Sequence, residues 1–378
     1  MSSERTAAAK TGMVTQVTSV HSPFDTRIFG RMCRTLTNCG YTVTLIARHD
    51  RDETVAGVRI RSLPEPRNRI DRMTRVVLRA LVAAFASKGS VYHLHDPELM
   101  PMGILLRLCG KRVVYDAHED FPRQILAKYW IPPWLRSSVS GIAEFAERLA
   151  VAFAFDRVVT ATEWIAERFP ARKTTVIRNF PLPDEFATNG ATPYRERPLV
   201  VAYAGHLSAL RGGAEMVEAI GRVPGEAELH IAGTLTPASL ATSLRALPAW
   251  HRVRYVGPQS RDGIVRLLEK ARMGLVVFHP GPNHDKSQPN KLFEYMAAGI
   301  PVVASDFPLW RNVVERVGCG LLVNPLDSGA IASAIQWLLE HPEEAATMGR
   351  RGQEAIREDY NWSIESRKLV DLYATLLK

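Results

Sequence analysis

An alternation that occurs twice constrains this chain most. In the first half, short apolar runs rich in Val, Ile and Thr recur as MVTQVTSV, YTVTLIA, SVYHLHD, KRVVYDAHE, RVVTA and TTVIRNF. Helical segments separate them: DTRIFGRMCRTLTNCG with Asp25 or Thr26 as cap and Gly40 as stop, PELMPMGILLRLCG, a stretch from about Leu135 to Phe155, and TEWIAERF. Strands that alternate with helices in this way form a parallel sheet covered on both faces. The stretch PLPDEFATNGATPYRERP, rich in proline and polar residues, interrupts the pattern. The alternation then restarts with LVVAYAG and runs through AELHIAG, RVRYVG, MGLVVF, IPVVAS and CGLLVN. The expected fold is therefore α/β, with two tandem Rossmann-like, doubly wound domains. The expected boundaries are a disordered tail over 1–12, a first domain over 13–183, a linker over 184–197, a second domain over 198–360 and a final segment over 361–378. Each sheet should open a ligand crevice at the carboxyl ends of its strands, and a cleft between the domains is the expected site.

Composition narrows the class. At 378 residues the chain has about the length of two domains. No apolar run approaches the ~20 residues that span a bilayer. The opening MSSERTAAAKTG is polar and does not read as a signal peptide. Cys33, Cys39, Cys109 and Cys319 form no Cys-x-x-Cys pair and read as reduced residues of a cytosolic protein. The net charge of +9 is lopsided: residues 1–183 hold 27 Lys+Arg against 17 Asp+Glu, leaving 21 against 22 in the remainder. That excess points to an anionic partner. Arg69, Arg72, Arg75 and Arg79 recur at helical spacing beside Ile70, Met73, Val77 and Leu81. They read as a basic amphipathic helix suited to an anionic inner-membrane surface. Nucleic acid is not expected, because no aromatic-basic interleaving accompanies the charge.

The residue that fits the simple pattern worst is Glu294, set inside the apolar helix of SQPNKLFEYMAAGIPVVAS. A carboxylate so placed needs hydrogen-bonding partners. Two decoys lose on context. Gly318–Gly320 (GCG) precedes a strand and reads as a helix stop, whereas a dinucleotide fingerprint comes after one. Asp50–Asp52 (DRD) reads as a solvated loop in preference to a metal site. HLHD at His93–Asp96, with His118, keeps a metal-hydrolase alternative open.

In the second half YAGHLSALRGG, LHIAGT, VRYVGP and PNKLFEYMAAGIPVVAS succeed one another, and the first half carries HSPFDTRIF, YHLHDPEL and YDAHEDFP. Together these motifs resemble a family 4 glycosyltransferase of the GT-B fold, over nearly the whole chain. The first-half motifs are similar to a branch acting on polysaccharide or lipid-linked acceptors. The resemblance implies retaining transfer from a nucleotide-diphosphate sugar, a UDP- or GDP-sugar, with no cofactor and no metal; a non-catalytic sugar-nucleotide-binding scaffold at the membrane is the alternative. It implies an acceptor-binding first domain, a donor-binding second domain and a terminal helix, YNWSIESRKLVDLYATLL, that crosses back to the first. It places Gly205, His206, Arg211, Gly257, Asn290, Lys291, Leu292 and Glu294 at the donor, with Glu294 accepting from the ribose hydroxyls. His118, Arg211 and Lys291 take the catalytic roles: the two cations at the diphosphate and the histidine at the sugar. Free N–H groups of Ser287–Lys291 would also meet the diphosphate, and His95, Asp96, Glu119 and Asp120 would share the acceptor rim. The chain departs from the family pattern at Lys286, where many members carry an acid, and at His206, where many carry arginine.

Overall fold

In the first half the apolar runs become β1 (Met13–Val17), β2 (Thr42–Arg48), β3 (Glu53–Val55), β4 (Val58–Leu63), β5 (Val91–Leu94), β6 (Arg112–Ala117), β7 (Arg157–Thr160) and β8 (Thr174–Val176). The structure is a computed structural model that describes residues 12–126, 128, 131–186, 192–281 and 284–378. These eight strands form one sheet in the order β3-β4-β2-β1-β5-β6-β7-β8, parallel except for β3. The second half supplies β9 (Val200–Ala204), β10 (Glu228–Ala232), β11 (Val253–Gly257), β12 (Ala271–Val276), β13 (Val302–Ser305) and β14 (Gly320–Val323). They pair in the order β11-β10-β9-β12-β13-β14, all parallel. Each strand order reverses at one point, beside β1 and β5 in the first sheet and beside β9 and β12 in the second. The carboxyl ends at these reversals are where such sheets bind ligands.

The chain divides into two units, Met1–Asn179 with Ile364–Lys378, and Phe180–Ser363. Each has its own core, around Val17, Leu94 and Tyr115 in the first and around Val201, Leu275 and Val303 in the second. The first unit ends short of the expected boundary at 183. Within the helix Trp362–Leu376, residues from Ile364 onward belong to the first unit. There the buried Tyr373 hydroxyl accepts from Gln16 at 2.9 Å and bonds His93 Nδ1 at 2.8 Å.

Several local expectations change. The expected tail lies outside the described residues except for Gly12, whose carbonyl already accepts from the Thr42 N–H of β2 at 3.0 Å. Of the expected linker, residues 187–191 lie outside the described residues. Its flanks pack on the second unit, with the Tyr194 hydroxyl donating to the Arg272 carbonyl at 2.6 Å. The Asp50–Asp52 loop leads into an unexpected hairpin, β3–β4, and Asp52 accepts from the Ser62 N–H at 2.8 Å. Gly318 closes the helix Pro308–Val317 in a left-handed conformation, as a helix stop should. In the arginine helix, Val76, Ala80 and Ala84 face the core, while Ile70 and Met73 are exposed. Arg72 pairs with Glu98 at 2.7 Å and Arg75 with Asp71 at 2.6 Å.

Candidate functional site

The helix Asn290–Ala297 is pinned beside the reversal of the second sheet. The Ala204 N–H, last in β9, donates to the Tyr295 hydroxyl at 3.0 Å. Lys291 and Glu294 are one turn apart, so they share a face of that helix, and both are buried. The chain leaves β9 through Gly205 at φ +109, and a Cβ there would lie 2.8 Å from Lys291 Nζ. The ammonium thus rests against bare backbone, over the rings of Tyr203 at 5.1 Å and Phe278 at 5.8 Å. Burial and the nearby Arg211 charge push its pKa down to about 7, against the opposing pull of Glu294.

Two further glycines make the close approach possible. Gly233, just after β10, lies so near the Gly205 carbonyl that a Cβ would sit 2.0 Å from it. Gly257 ends β11, and its carbonyl accepts from the Gly233 N–H at 2.8 Å. Arg211 lies in the turn Ala209–Arg211, donates to the His206 carbonyl at 2.8 Å and stacks on Phe278 at 5.3 Å. Burial and the charges of Arg211 and Lys291 lower the pKa of His206, so its ring is neutral at pH 7.

Glu294 has a partner in Arg261. Its Oε1 accepts from Arg261 Nη1 at 2.6 Å, and Arg261 Nε donates to Glu185 Oε1 at 2.7 Å. The guanidinium also lies over Phe186 at 4.6 Å. Neither Arg261 nor Glu185 stands out in the sequence; the only signal is that a buried acid needs a cation. Asn290 is exposed at the helix start. The Leu292 side chain belongs to the core and its N–H donates to the Pro289 carbonyl at 3.2 Å. The N–H of Ser287 is likewise taken by the His284 carbonyl at 3.1 Å. Lys286 is exposed, and Asp285 accepts from the Gly281 N–H at 2.9 Å. Both line a cavity of about 500 Å³ with Pro280, Asp306, Phe307 and Asn324, at the carboxyl ends of β12, β13 and β14.

The first unit gathers its own cluster at the carboxyl ends of β1, β5 and β6. His118 lies at the end of β6, with Nδ1 at 3.3 Å from the Asp116 carbonyl and its ring edge-on to His21 at 5.2 Å. His21, unmarked by the sequence reading, lies between Asp25 at 3.5 Å and Asp96 at 3.7 Å. Burial opposes its charge, but the Asp25 hydrogen bond and the charges of Asp96, Asp25 and Glu119 raise its pKa to about 9. Asp96 is fixed by the Thr18 hydroxyl at 2.8 Å and the Ser19 N–H at 2.6 Å.

Two expected rim residues are structural instead. His95 is buried, bonding Asp116 through Nδ1 at 3.0 Å and Gln16 through Nε2 at 2.6 Å. Asp120 is held by Arg123 at 3.0 Å and Arg168 at 3.1 Å. His93, His95 and Asp116 offer atoms close enough for a metal. Yet both nitrogens of His95 are engaged and Arg27 grips both oxygens of Asp116 at 2.9 Å. Two of the three donors are thus already engaged, while His93 Nε2 is buried without a hydrogen-bond partner.

The comparisons with known proteins agree with this architecture. Residues 26–179 match the family model of a glycosyl transferase 4-like domain, and residues 198–341 match that of glycosyl transferases group 1. The chain belongs to the family 4 glycosyltransferases of the GT-B fold. A phosphatidyl-myo-inositol mannosyltransferase of Mycobacterium leprae is 39% identical over 85 residues, 22% of each chain. The matches span 22% to 48% of the length of the curated relatives. Among solved structures, the sucrose-phosphate synthase of Thermosynechococcus elongatus superposes with a TM-score of 0.77 at 20% identity, covering 97% of this chain and 99% of that one. Anabaena HepE in complex with UDP-glucose gives 0.74 at 14% identity, covering 96% and 100%. At such identities these structures show the fold alone.

Proposed function

We propose that the chain is a retaining, metal-independent hexosyltransferase. It moves a sugar from a UDP- or GDP-sugar to a polysaccharide- or lipid-linked acceptor of the cell envelope. The observation that carries this reading is the pairing of Lys291 and Glu294 on one buried helix face, with Lys291 against the bare backbone of Gly205 at the reversal of the second sheet. A carboxylate accepts from both hydroxyls of a ribose, and a bare turn admits a diphosphate beside the ammonium. Arg211 and Lys291 then face the charge that grows on the departing diphosphate, where fixed cations favour the transition state over the ground state. Binding a diphosphate draws a proton onto Lys291, whose charge is marginal at neutral pH. His118 serves the sugar side, and the departing phosphate takes the acceptor proton. The first unit takes the acceptor and the second the donor. The enzyme works in the cytoplasm, peripheral to the anionic inner face of the membrane. The relatives, which include a phosphatidyl-myo-inositol mannosyltransferase and a protein solved in complex with UDP-glucose, support the substrate classes.

The test is to incubate the chain with UDP-glucose or GDP-mannose, with and without chelator, and track nucleotide release and anomeric configuration by NMR. Slow donor hydrolysis with the configuration retained and indifference to chelator are expected. Tight nucleotide binding with neither hydrolysis nor transfer would favour the scaffold reading. Inactivation by chelator would overturn metal independence.

A further inference from the structure

The helix Pro133–Phe153 of the first unit is apolar on two sides. Its inner side sets Ala150 and Val151 in the core and buries Glu147, which accepts from the Tyr115 hydroxyl at 2.8 Å. Its outer side repeats Ile142, Phe145, Leu149 and Phe153 at helical spacing, with Ile142 69% exposed, Phe145 66% and Phe153 82%. Trp134, near the start of the helix, is 77% exposed. An amphipathic helix needs only the inner stripe to fold. The outer stripe has no role in the core.

Two neighbouring helices repeat the pattern. The helix Met100–Leu108 buries Met102 and Leu106 and exposes Ile104, Leu105 and Leu108. The helical segment over residues 69–87 buries Val76, Ala80 and Ala84 and exposes Ile70, Met73, Leu78 and Val82. The inner residues of all three enter one core cluster on the first sheet, so the three helices form one layer. Soluble monomers seldom show apolar patches beyond a few hundred Å². The layer is also basic: Arg69 and Arg79 are exposed beside Ile70 and Leu78, and Arg107 and Arg148 accompany the other two helices.

We infer that the outer surface of this three-helix layer is a membrane-docking face that inserts its apolar stripes, led by Phe145, Phe153 and Trp134, into an anionic leaflet. Charge complementarity selects this occupant. A symmetric contact with a second copy would bring the same basic face against itself, whereas anionic headgroups match the arginines while the acyl boundary takes the Phe and Ile side chains. Trp134 has the amphipathic ring that favours the interface. The helix Pro133–Phe153 lies on the membrane and does not span it: it carries Arg136, Glu144, Glu147 and Arg148, and among the described residues no helix is long and apolar enough to cross. The inference deepens the membrane part of the proposed function and shifts its weight from the arginines to the apolar stripes.

Flotation of the full chain with phosphatidylcholine vesicles, with and without phosphatidylglycerol, tests it. The wild type should partition to anionic vesicles and retain part of that binding at about 1 M salt, where screening acts within ~3 Å. Phe145→Gln with Phe153→Gln should lower the partition at least about tenfold. Both sites are exposed, so the melting temperature should hold. Brominated acyl chains should quench fluorescence in the wild type more than in Trp134→Phe. Absence of flotation with anionic vesicles overturns the inference, as does binding that the double Phe variant leaves intact. A dimer in light scattering that this variant dissolves makes a second copy the occupant and also overturns it. Calorimetric nucleotide binding on the same preparation tests the donor reading separately, since a chain that binds nucleotide but ignores vesicles loses only this inference.

Discussion

Glu294 shows how far one side chain can be read. Its place in an apolar helix marks it as a carboxylate with a task, and the fold gives it Arg261 as a partner. The Arg261–Glu185 pair persists when Glu294 is neutralised, so Glu294→Gln should leave the fold intact. Loss of a charge-assisted acceptor worth roughly 1.5–3 kcal/mol should weaken nucleotide-sugar binding at least about tenfold. Calorimetry reads this, and unchanged affinity removes the ribose role. His118 belongs to the other unit, beside His21. His118→Ala should therefore cut turnover at saturating substrates and spare nucleotide-diphosphate affinity; full activity would make it structural. Lys291 and Glu294 are legible because they share one short motif. Arg261 lies 33 residues from Glu294, and only the closing of the sheet brings it there. The motif marks the place of Leu292 in the chain but not the direction of its side chain, which enters the core. His21 escaped because its acidic neighbour Asp96 comes from a different strand end.

At the scale of elements, the long apolar runs made the parallel strands readable, and the failures have local causes. The β3–β4 hairpin turns through Ala56 at φ 48 and Gly57 at φ +79. Alanine is an unusual occupant of that conformation, so the customary Asn-Gly signal was absent. In the arginine helix, a π turn over Arg72–Val76 adds to the winding and rotates the helical turns beyond it. Val76, Ala80 and Ala84 consequently face the core, while Ile70 and Met73 face out. The turns at the carboxyl ends depend on glycine, and Gly205 is the one that lies against Lys291. Gly205→Ala combines a backbone conformation costing of order 1–3 kcal/mol with a methyl driven into the tip of Lys291. The lysine can swing aside, so the variant should fold with a modest loss of stability and bind nucleotide diphosphate markedly more weakly. Denaturant melts and calorimetry separate the two effects. Wild-type affinity in a folded Gly205→Ala protein would remove Lys291 from the diphosphate site.

Over the whole molecule, the two units carry buried titratable groups whose effects diverge above neutral pH. In the first unit, burial lowers the pKa of His93, with the His95 charge adding to it, and burial lowers that of His95 against the pull of Asp116. Unfolded, both take protons near pH ~6.5; folded, they do not, so stability falls as the pH drops below that value. His206 and His284 in the second unit are lowered chiefly by burial and act in the same direction. His21 has the opposite sign. With its pKa raised to about 9, it is protonated when folded and loses its proton when unfolded above about pH 6.5. Its contribution is complete below that pH and disappears as the pH rises through 9. Lys291, pushed down to about 7, is neutral in the folded chain above that pH, while the unfolded chain keeps the proton to ~10.4. The second unit should therefore gain stability from pH 7 upward. Each proton of difference amounts to about 1.4 kcal/mol per pH unit. Separate cores lead us to expect two calorimetric transitions, both falling on acidification below about pH 6.5. Above pH 7 the transition of the first unit should drop while that of the second rises. His21→Gln should flatten the alkaline decline of the first alone, and Lys291→Met should abolish the rise of the second alone. If the wild type shows one transition, level from pH 7 to 9 and unmoved by His21→Gln, the ion pairs around His21 contribute nothing to holding the first unit together.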